Sequence, residues 1–272
     1  MNDDQYPEFP LAGRNKKAFL WTPDGVQTLL DAGCAWGYGT RFFTQKSEQV
    51  FGLEPDEKYI EIAQNRYPDL EFTVSPLEQT PFPDQFFDVI IACDTLEHAE
   101  DEVQCFSEMF RILKPQGLLI VTTPHQGVFA FLDPANALPY LEYFVKRYLG
   151  IFYKLAYWVR KRKFPEEVTA EKPIYTHENT HRHYTKEDFI EFLNQSEAKG
   201  RYDILKVFRS GLLLGVLTHN IEFYISLFFP VKVKRVLEKV VITPLNFLAE
   251  LDYWIPYHRL AYNIALKIRK IE

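Results

Sequence analysis

The stretch LLDAGCAWGYGTRFF, residues 29–43, decides how the chain is read. An apolar run ends in Asp31, three glycines follow at 33, 37 and 39, and a helical pattern begins. Such a run, closed by a glycine cluster, reads as a buried strand (VQTLLD, 26–31) that turns into a helix. In open α/β sheets ligands sit beyond the carboxyl ends of the strands. Glycines let the backbone pass close to a ligand, and the N–H groups of a helix start favour an anionic group such as a carboxylate.

Working outward, QVFGLE (49–54), LEFTV (70–74), FDVIIAC (87–93) and GLLIVTT (117–123) supply four more buried strands. Between them YGTRFFTQKS, DEKYIEIAQNRY and AEDEVQCFSEMFRILK show apolar residues at helical spacings of three and four. Pro55, Pro68, Pro115 and Gly117 mark the boundaries. Near-continuous apolar strands alternating with helices predict a parallel sheet covered on both faces, and right-handed crossovers make it doubly wound. Glu54 ends the second strand, 21 positions after Gly33, where a carboxylate can accept hydrogen bonds from both hydroxyls of a ribose. A nicotinamide dinucleotide is the competing ligand, but the GxGxxG spacing fails: Ala35 stands second after Gly33, and Phe42 sixth from Gly37.

The 272 residues allow one large domain or two small ones, and 47% hydrophobic with 25% charged residues excludes wholesale disorder. A net charge of −6 argues against broad nucleic-acid binding. Cys34, Cys93 and Cys105 form no CxxC pair, which points to a reducing, cytoplasmic compartment. The acidic start MNDDQYPEFP has no apolar run of the kind a secretory signal needs. The longest apolar stretch, 212–231, carries His219, Asn220 and Glu222 mid-span, so a buried hairpin or membrane-resting element is expected there rather than a spanning helix.

Beyond residue 124 the alternation stops. Residues 125–184 have several prolines and a basic aromatic stretch, which inside an α/β domain reads as a lid. TKEDFIEFLNQ (185–195) reads as a helix with Thr185 as N-cap and Asp188 at its third position. RYDILKVF (201–208) reads as a strand, 212–258 as helices broken at Pro230, Pro244 and Pro256, and RLAYNIALKIRK (259–270) as a closing strand. The expectation is one domain. Its core lies at 26–124, 185–209 and 259–270, with lid insertions at 125–184 and 210–258.

Five segments in order carry a resemblance. LLDAGCAWGYG is similar to the first motif of class I S-adenosylmethionine-dependent methyltransferases of the domain-11 type, close to LDxGCGxG. FGLEPDEKYIEIAQ resembles that family's second strand and helix. QTPFPDQFFDVI resembles its LPFPDxSFDVV, CDTLEHAED its ExLEHV, and FRILKPQGLLIVTTP its RxLKPGGxLxxxTP. HENTHRHYTKEDFIEFL and LAYNIALKIRK look like the histidine linker, helix and antiparallel closing strand of many bacterial members. The resemblance implies an α/β, Rossmann-like doubly wound seven-stranded sheet of order 3-2-1-4-5-7-6, its last strand antiparallel. It also implies S-adenosylmethionine as cofactor and S-adenosylhomocysteine as product. On the matching positions Asp31 and the backbone of Gly33, Cys34, Ala35 and Gly37 hold the methionine end. Glu54 and Pro55 lie at the ribose, Leu77 meets adenine through its backbone, and Asp94 is near the sulfonium. Two departures stand out. Ala35 replaces the middle glycine, which should perturb binding without abolishing it, and Pro76 stands where many members have an acid.

An acceptor oxygen gains from a base, and histidine suits neutral pH. His98 heads the candidates because it follows the fourth strand, with His125 after the fifth and His181 in the linker. His177, His181 and His183 lie within seven residues, but no cysteine pair accompanies them and no metal site is read. A long lid fits a small or medium acceptor: a hydroxyl of a glycan, sugar or lipid-linked envelope precursor, or a quinone or lipid ring. The alternative of another class is a catalytically inactive module that binds a membrane or partner. Residues 141–163, LEYFVKRYLGIFYKLAYWVRKRK, carry +6 against −12 for the rest of the chain. Phe144, Tyr148, Phe152, Leu155 and Val159 fall on one helical face there, which suits a lid helix packing that face on the domain, an anionic membrane surface or an acidic acceptor.

Overall fold

The computed structural model of the protein describes residues 11–128, 182–212 and 236–272, with single helical positions at 130, 158, 214, 218, 221, 225 and 233. The chain divides into two units. The first holds residues 1–125, 183–209 and 263–272, and the second holds 126–182 and 210–262.

The first unit is built on seven strands: β1 (Val26–Ala32), β2 (Ser47–Glu54), β3 (Glu71–Val74), β4 (Phe87–Cys93), β5 (Leu113–Pro124), β6 (Tyr202–Ser210) and β7 (Asn263–Lys270). They form one sheet of order 3-2-1-4-5-7-6. The pairs β1–β2, β1–β4, β2–β3 and β4–β5 are parallel, and β7 runs antiparallel to β5. Five helices are described: α1 (Gly13–Trp21), α2 (Glu57–Arg66), α3 (Glu102–Ile112), α4 (Lys186–Gln195) and, in the second unit, α5 (Thr243–Asp252).

Strand alternation sends successive side chains to opposite faces, and both faces are covered. Leu30, Ala32, Ile90, Ala92, Leu119 and Val121 pack with Phe106, Met109 and Phe110 of α3 and Phe189 and Leu193 of α4. Leu29, Val89, Ile91 and Ile120 pack on the other face with Ala18 of α1 and Phe43. Helix starts are fixed by side chains that satisfy the first free N–H groups. Asp56 accepts from Lys58 N–H at 2.8 Å and Asp101 from Gln104 N–H at 3.0 Å. Thr185 and Asp188 form a reciprocal capping box, as their spacing predicts.

Four elements differ from the sequence reading. YGTRFFTQKS forms only a 3₁₀ turn, Thr40–Gln45, because Thr40 is turned inward to Asp31 and β2 begins at Ser47. β5 begins at Leu113, four residues early: Phe87 pairs with Leu113 before a register shift resumes the ladder at Val89 and Leu118. β7 begins at Asn263, since His258–Leu260 coils into a 3₁₀ turn. Pro244 opens α5 instead of breaking a helix, as the first turn of a helix does not need its missing N–H. The expected lid at 125–184 and the apolar stretch 212–231 fall mostly outside the described residues. No helix among those described is long and apolar enough to cross a membrane.

Candidate functional site

Three carboxylates stand at the carboxyl ends of three adjacent strands: Glu54 on β2, Asp31 on β1 and Asp94 just past β4. Asp31 is buried and accepts a hydrogen bond from Thr40 Oγ1 at 2.7 Å. Burial pushes its pKa up to about 6; the Thr40 hydroxyl opposes the shift, and the charge of Glu54 adds to it. Glu54 is half-buried. Its Oε2 accepts from Ala35 N–H at 3.1 Å and its Oε1 from Asp56 N–H at 3.3 Å. Desolvation raises the Glu54 pKa, and the two N–H groups hold it back. The carboxylate is therefore fixed at the strand end with lone pairs left to accept further bonds.

The turn between β1 and the 3₁₀ segment is held by backbone bonds. Gly33 N–H and Cys34 N–H both donate to Leu53 O, at 2.7 and 3.0 Å, and Gly37 N–H donates to Cys34 O at 2.9 Å. Gly33 and Gly37 adopt left-handed φ values of +80° and +76°. A Cβ on Gly33 would meet Thr95 Cγ2 at 2.8 Å, and one on Gly37 would meet Phe72 Cζ at 2.9 Å. Both glycines thus serve the turn's own packing, a role that the reading of a backbone kept clear for ligand does not contain. Ala35, the departure from the glycine pattern, also sits in the left-handed region at φ 46°. Its N–H is the one Glu54 takes, so this strained conformation orients the donor toward the strand end.

Asp94, at φ 57°, donates its N–H to Thr122 O at 2.9 Å, and its carboxylate is ion-paired with Arg14 Nε at 2.7 Å. Arg14 lies on α1, an element that no signal in the sequence reading marked. Next to it Asn15 donates to Tyr38 Oη at 3.2 Å, and the Tyr38 ring stacks on Trp36 at 5.3 Å. Burial, then the charges of Asp94 and Asp31, raise the Tyr38 pKa. The N-terminal helix is therefore fastened to both the glycine turn and the β4 end. A helix start with Asn15 and Arg14 adjacent was readable in the sequence only as polar residues before AFLW.

The remaining predicted residues separate. Leu77 is buried in the core beside α3, and Pro55 is exposed. His98 ends a 3₁₀ turn, Leu96–His98, and is exposed, whereas its neighbour Glu97 is buried. His125 is buried immediately after β5, where its backbone forms a bridge with Tyr184. The Tyr184 hydroxyl contacts Leu96 O at 3.0 Å and Glu102 Oε1 at 2.8 Å, so the end of β5 and the His98 turn are tied together. His181 lies outside the described residues.

The other motif residues are structural. Arg111 Nη2 donates to Phe82 O at 2.8 Å and Glu108 Oε1 at 2.7 Å, and its Nη1 meets Asp84 at 2.6 Å. Glu108 in turn accepts from Thr80 N–H and hydroxyl, both at 2.7 Å. This network pins the TPFPD loop to α3.

Fold, acidic strand ends and glycine turn now stand beside known proteins. Residues 30–121 match the family model described as a methyltransferase domain. This stretch of the chain is similar to a methyltransferase domain. Its sequence is 35% identical to a "Probable S-adenosylmethionine-dependent methyltransferase" of Mycolicibacterium smegmatis over 38% of this chain and 40% of that protein. It is 26% identical to a malonyl-[acyl-carrier protein] O-methyltransferase of Serratia marcescens over 40% and 43%. The chain thus spans about two fifths of the length of these curated relatives. A solved S-adenosylmethionine-dependent methyltransferase from Mesorhizobium loti superposes with a TM-score of 0.51 at 18% identity, covering 93% of this chain and 95% of that one. That likeness shows the fold. The matched stretch contains Asp31, Glu54 and Asp94 and ends inside β5.

Proposed function

We propose that the methyltransferase domain binds S-adenosylmethionine across the ends of β2, β1 and β4 and passes its methyl group to a hydroxyl of a small or medium acceptor. The observation that carries this reading is the row of three carboxylates, Glu54, Asp31 and Asp94, at neighbouring strand ends. Such a row suits a ligand that joins a diol, an ammonium and a sulfonium. S-adenosylmethionine supplies a methyl group already activated by its sulfonium.

The chain's own residues then bind and position. Asp31 accepts from the ammonium, and the turn from Gly33 through Cys34 and Ala35 to Gly37 offers its backbone to the methionine carboxylate. Glu54, steadied by Ala35 and Asp56, accepts from the ribose hydroxyls, with Pro55 beside it. Leu77 offers its backbone to adenine. Asp94, paired with Arg14, borders the reacting end. For the acceptor proton we assign His98 first, since its side chain is exposed just past the β4 end, then His125 and His181. If His98 is the base, His98→Ala lowers turnover by about 10²–10⁴-fold with cofactor affinity unchanged. Turnover within a few-fold of wild type would make it structural.

For the acceptor we propose a glycan, sugar or lipid-linked precursor handled in the cytoplasm, where the free, buried Cys34, Cys93 and Cys105 stay reduced. Residues 141–163 are assigned to an acidic acceptor or anionic lipid on their charge and aromatic face. The test is to compare methylated glycans, lipids and metabolites in cells with and without the gene, then offer the accumulating compound to the purified protein. Transfer of labelled methyl to that compound is expected. Unchanged methylation profiles, or no transfer, would contradict the reading.

A further inference from the structure

Beside the row of carboxylates runs a row of rings. Trp36 stands between Ala35 and Gly37 in the glycine turn. Its indole stacks on Tyr38, with centroids 5.3 Å apart, and meets Tyr59 at 5.8 Å. All three side chains are half-buried. Each end of this row is tied to an end of the acidic one. Tyr59 lies in the first turn of α2, where its N–H donates to Asp56 O at 3.0 Å, and Asp56 N–H is one of the two donors on Glu54. Trp36 follows Ala35, the other donor. At the far end Asn15 holds Tyr38 Oη while its neighbour Arg14 holds Asp94. Two consecutive residues of α1 thus bring that hydroxyl and that carboxylate together. The charges of Asp94 and Asp31 that raise the Tyr38 pKa agree with this placement.

Position 36 is open in the pattern LDxGCGxG that the turn resembles, so the indole is this chain's own addition. Rings set alongside carboxylates make a surface for a cation. The ring quadrupole attracts a positive group over its face, tryptophan most strongly, and partial burial strengthens the attraction. S-adenosylmethionine carries a positive sulfonium. S-adenosylhomocysteine has lost that charge with the methyl group and has a neutral thioether in its place. The two share adenine, ribose, ammonium and carboxylate, so hydrogen bonds to those groups do not tell them apart. A ring over the sulfur does.

We infer that Trp36, backed by Tyr38 and Tyr59, presents its ring to the sulfonium and makes the site prefer the charged methyl donor over its neutral product. The inference rests on the cofactor reading above and adds to it a residue that favours release of the spent cofactor.

Calorimetric titration of the full chain with S-adenosylmethionine and, separately, with S-adenosylhomocysteine tests it in wild type, Trp36→Leu and Trp36→Phe. Circular dichroism confirms that each variant is folded. Trp36→Leu should weaken S-adenosylmethionine about fivefold and S-adenosylhomocysteine by less than about twofold, and Trp36→Phe, which keeps a ring, should retain most of the preference. Indole emission gives a second readout that does not depend on the leucine variant. The chain has four tryptophans, so the difference between wild type and Trp36→Phe isolates Trp36. S-adenosylmethionine should change that difference more than S-adenosylhomocysteine does. Equal weakening of the two ligands in Trp36→Leu, weakening of neither, or the same emission change with both overturns the inference and leaves the cofactor site standing. Failure of wild type to bind either ligand overturns the cofactor reading, and the inference with it.

Discussion

Burial of Asp31 makes the site's stability and its function pull apart. Its folded pKa, about 6, lies above the ordinary 3.8, so the folded chain holds a proton that the unfolded chain releases. The contribution is full below pH 3.8 and lost as pH rises through about 6. Two units correspond to roughly 3 kcal/mol, which near neutrality becomes the cost of burying the charge. Asp31→Asn, which can still accept from Thr40, should therefore stabilise the chain by about 2 kcal/mol at pH 7 and by little at pH 4, as thermal melts at the two values will show. The same variant should lose S-adenosylhomocysteine. In wild type that affinity should strengthen as pH rises through about 6, where the carboxylate ionises. Ala35 carries a second residue-scale prediction. An L-residue in the left-handed region costs about 1–2 kcal/mol, and glycine gives back about 0.4–1 through the unfolded chain. Ala35→Gly should then raise stability by about 0.5 kcal/mol in denaturant titration, and a loss of stability would contradict the strain. At this scale the sequence showed which carboxylates end the strands, because strand ends and glycines are local signals. It did not show that Gly33 makes room for Thr95, a contact 62 positions away.

Among elements, the network on Arg111 links α3 to the loop before β4. A planar guanidinium spans Glu108, Asp84 and the Phe82 carbonyl, which a single ammonium cannot do. Arg111→Leu should lower stability by about 2–3 kcal/mol in urea, with Glu108 left buried beside Thr80, and Arg111→Lys should recover only part of it. A change below about 0.5 kcal/mol would show the network to be incidental. Strands β1, β2, β4 and β5 were legible because their central residues are buried on both faces and read as apolar runs, whereas the edge strand β3 buries only Phe72. α1 was not. Its sequence GRNKKAFLW has little apolar period, and the helix is held by distant partners. Lys267 on β7 donates to Trp21 O at 2.7 Å, Lys17 lies over the Phe208 ring at 3.9 Å, and Arg14 reaches Asp94. Tertiary contacts of this kind leave no trace in local spacing.

At the scale of the whole molecule, one acidic unit carries the Rossmann-like sheet and one mildly basic unit is inserted into it twice. The sheet order followed from resemblance, and the parallel core followed from the alternation itself. The acceptor did not follow from either, since fold alone does not choose a substrate. The central claim is that the ends of β1 and β2 form a cofactor site. Calorimetric titration of the full chain with S-adenosylhomocysteine, wild type beside Glu54→Ala, tests it most directly. Losing a carboxylate that accepts from two hydroxyls removes charge-assisted bonds of about 1.5–3 kcal/mol each, so at least roughly tenfold in affinity. The account predicts one site per chain in wild type and that loss in a Glu54→Ala variant with an unchanged circular dichroism spectrum. No binding to wild type at millimolar ligand, or equal affinity in the two proteins, would contradict it.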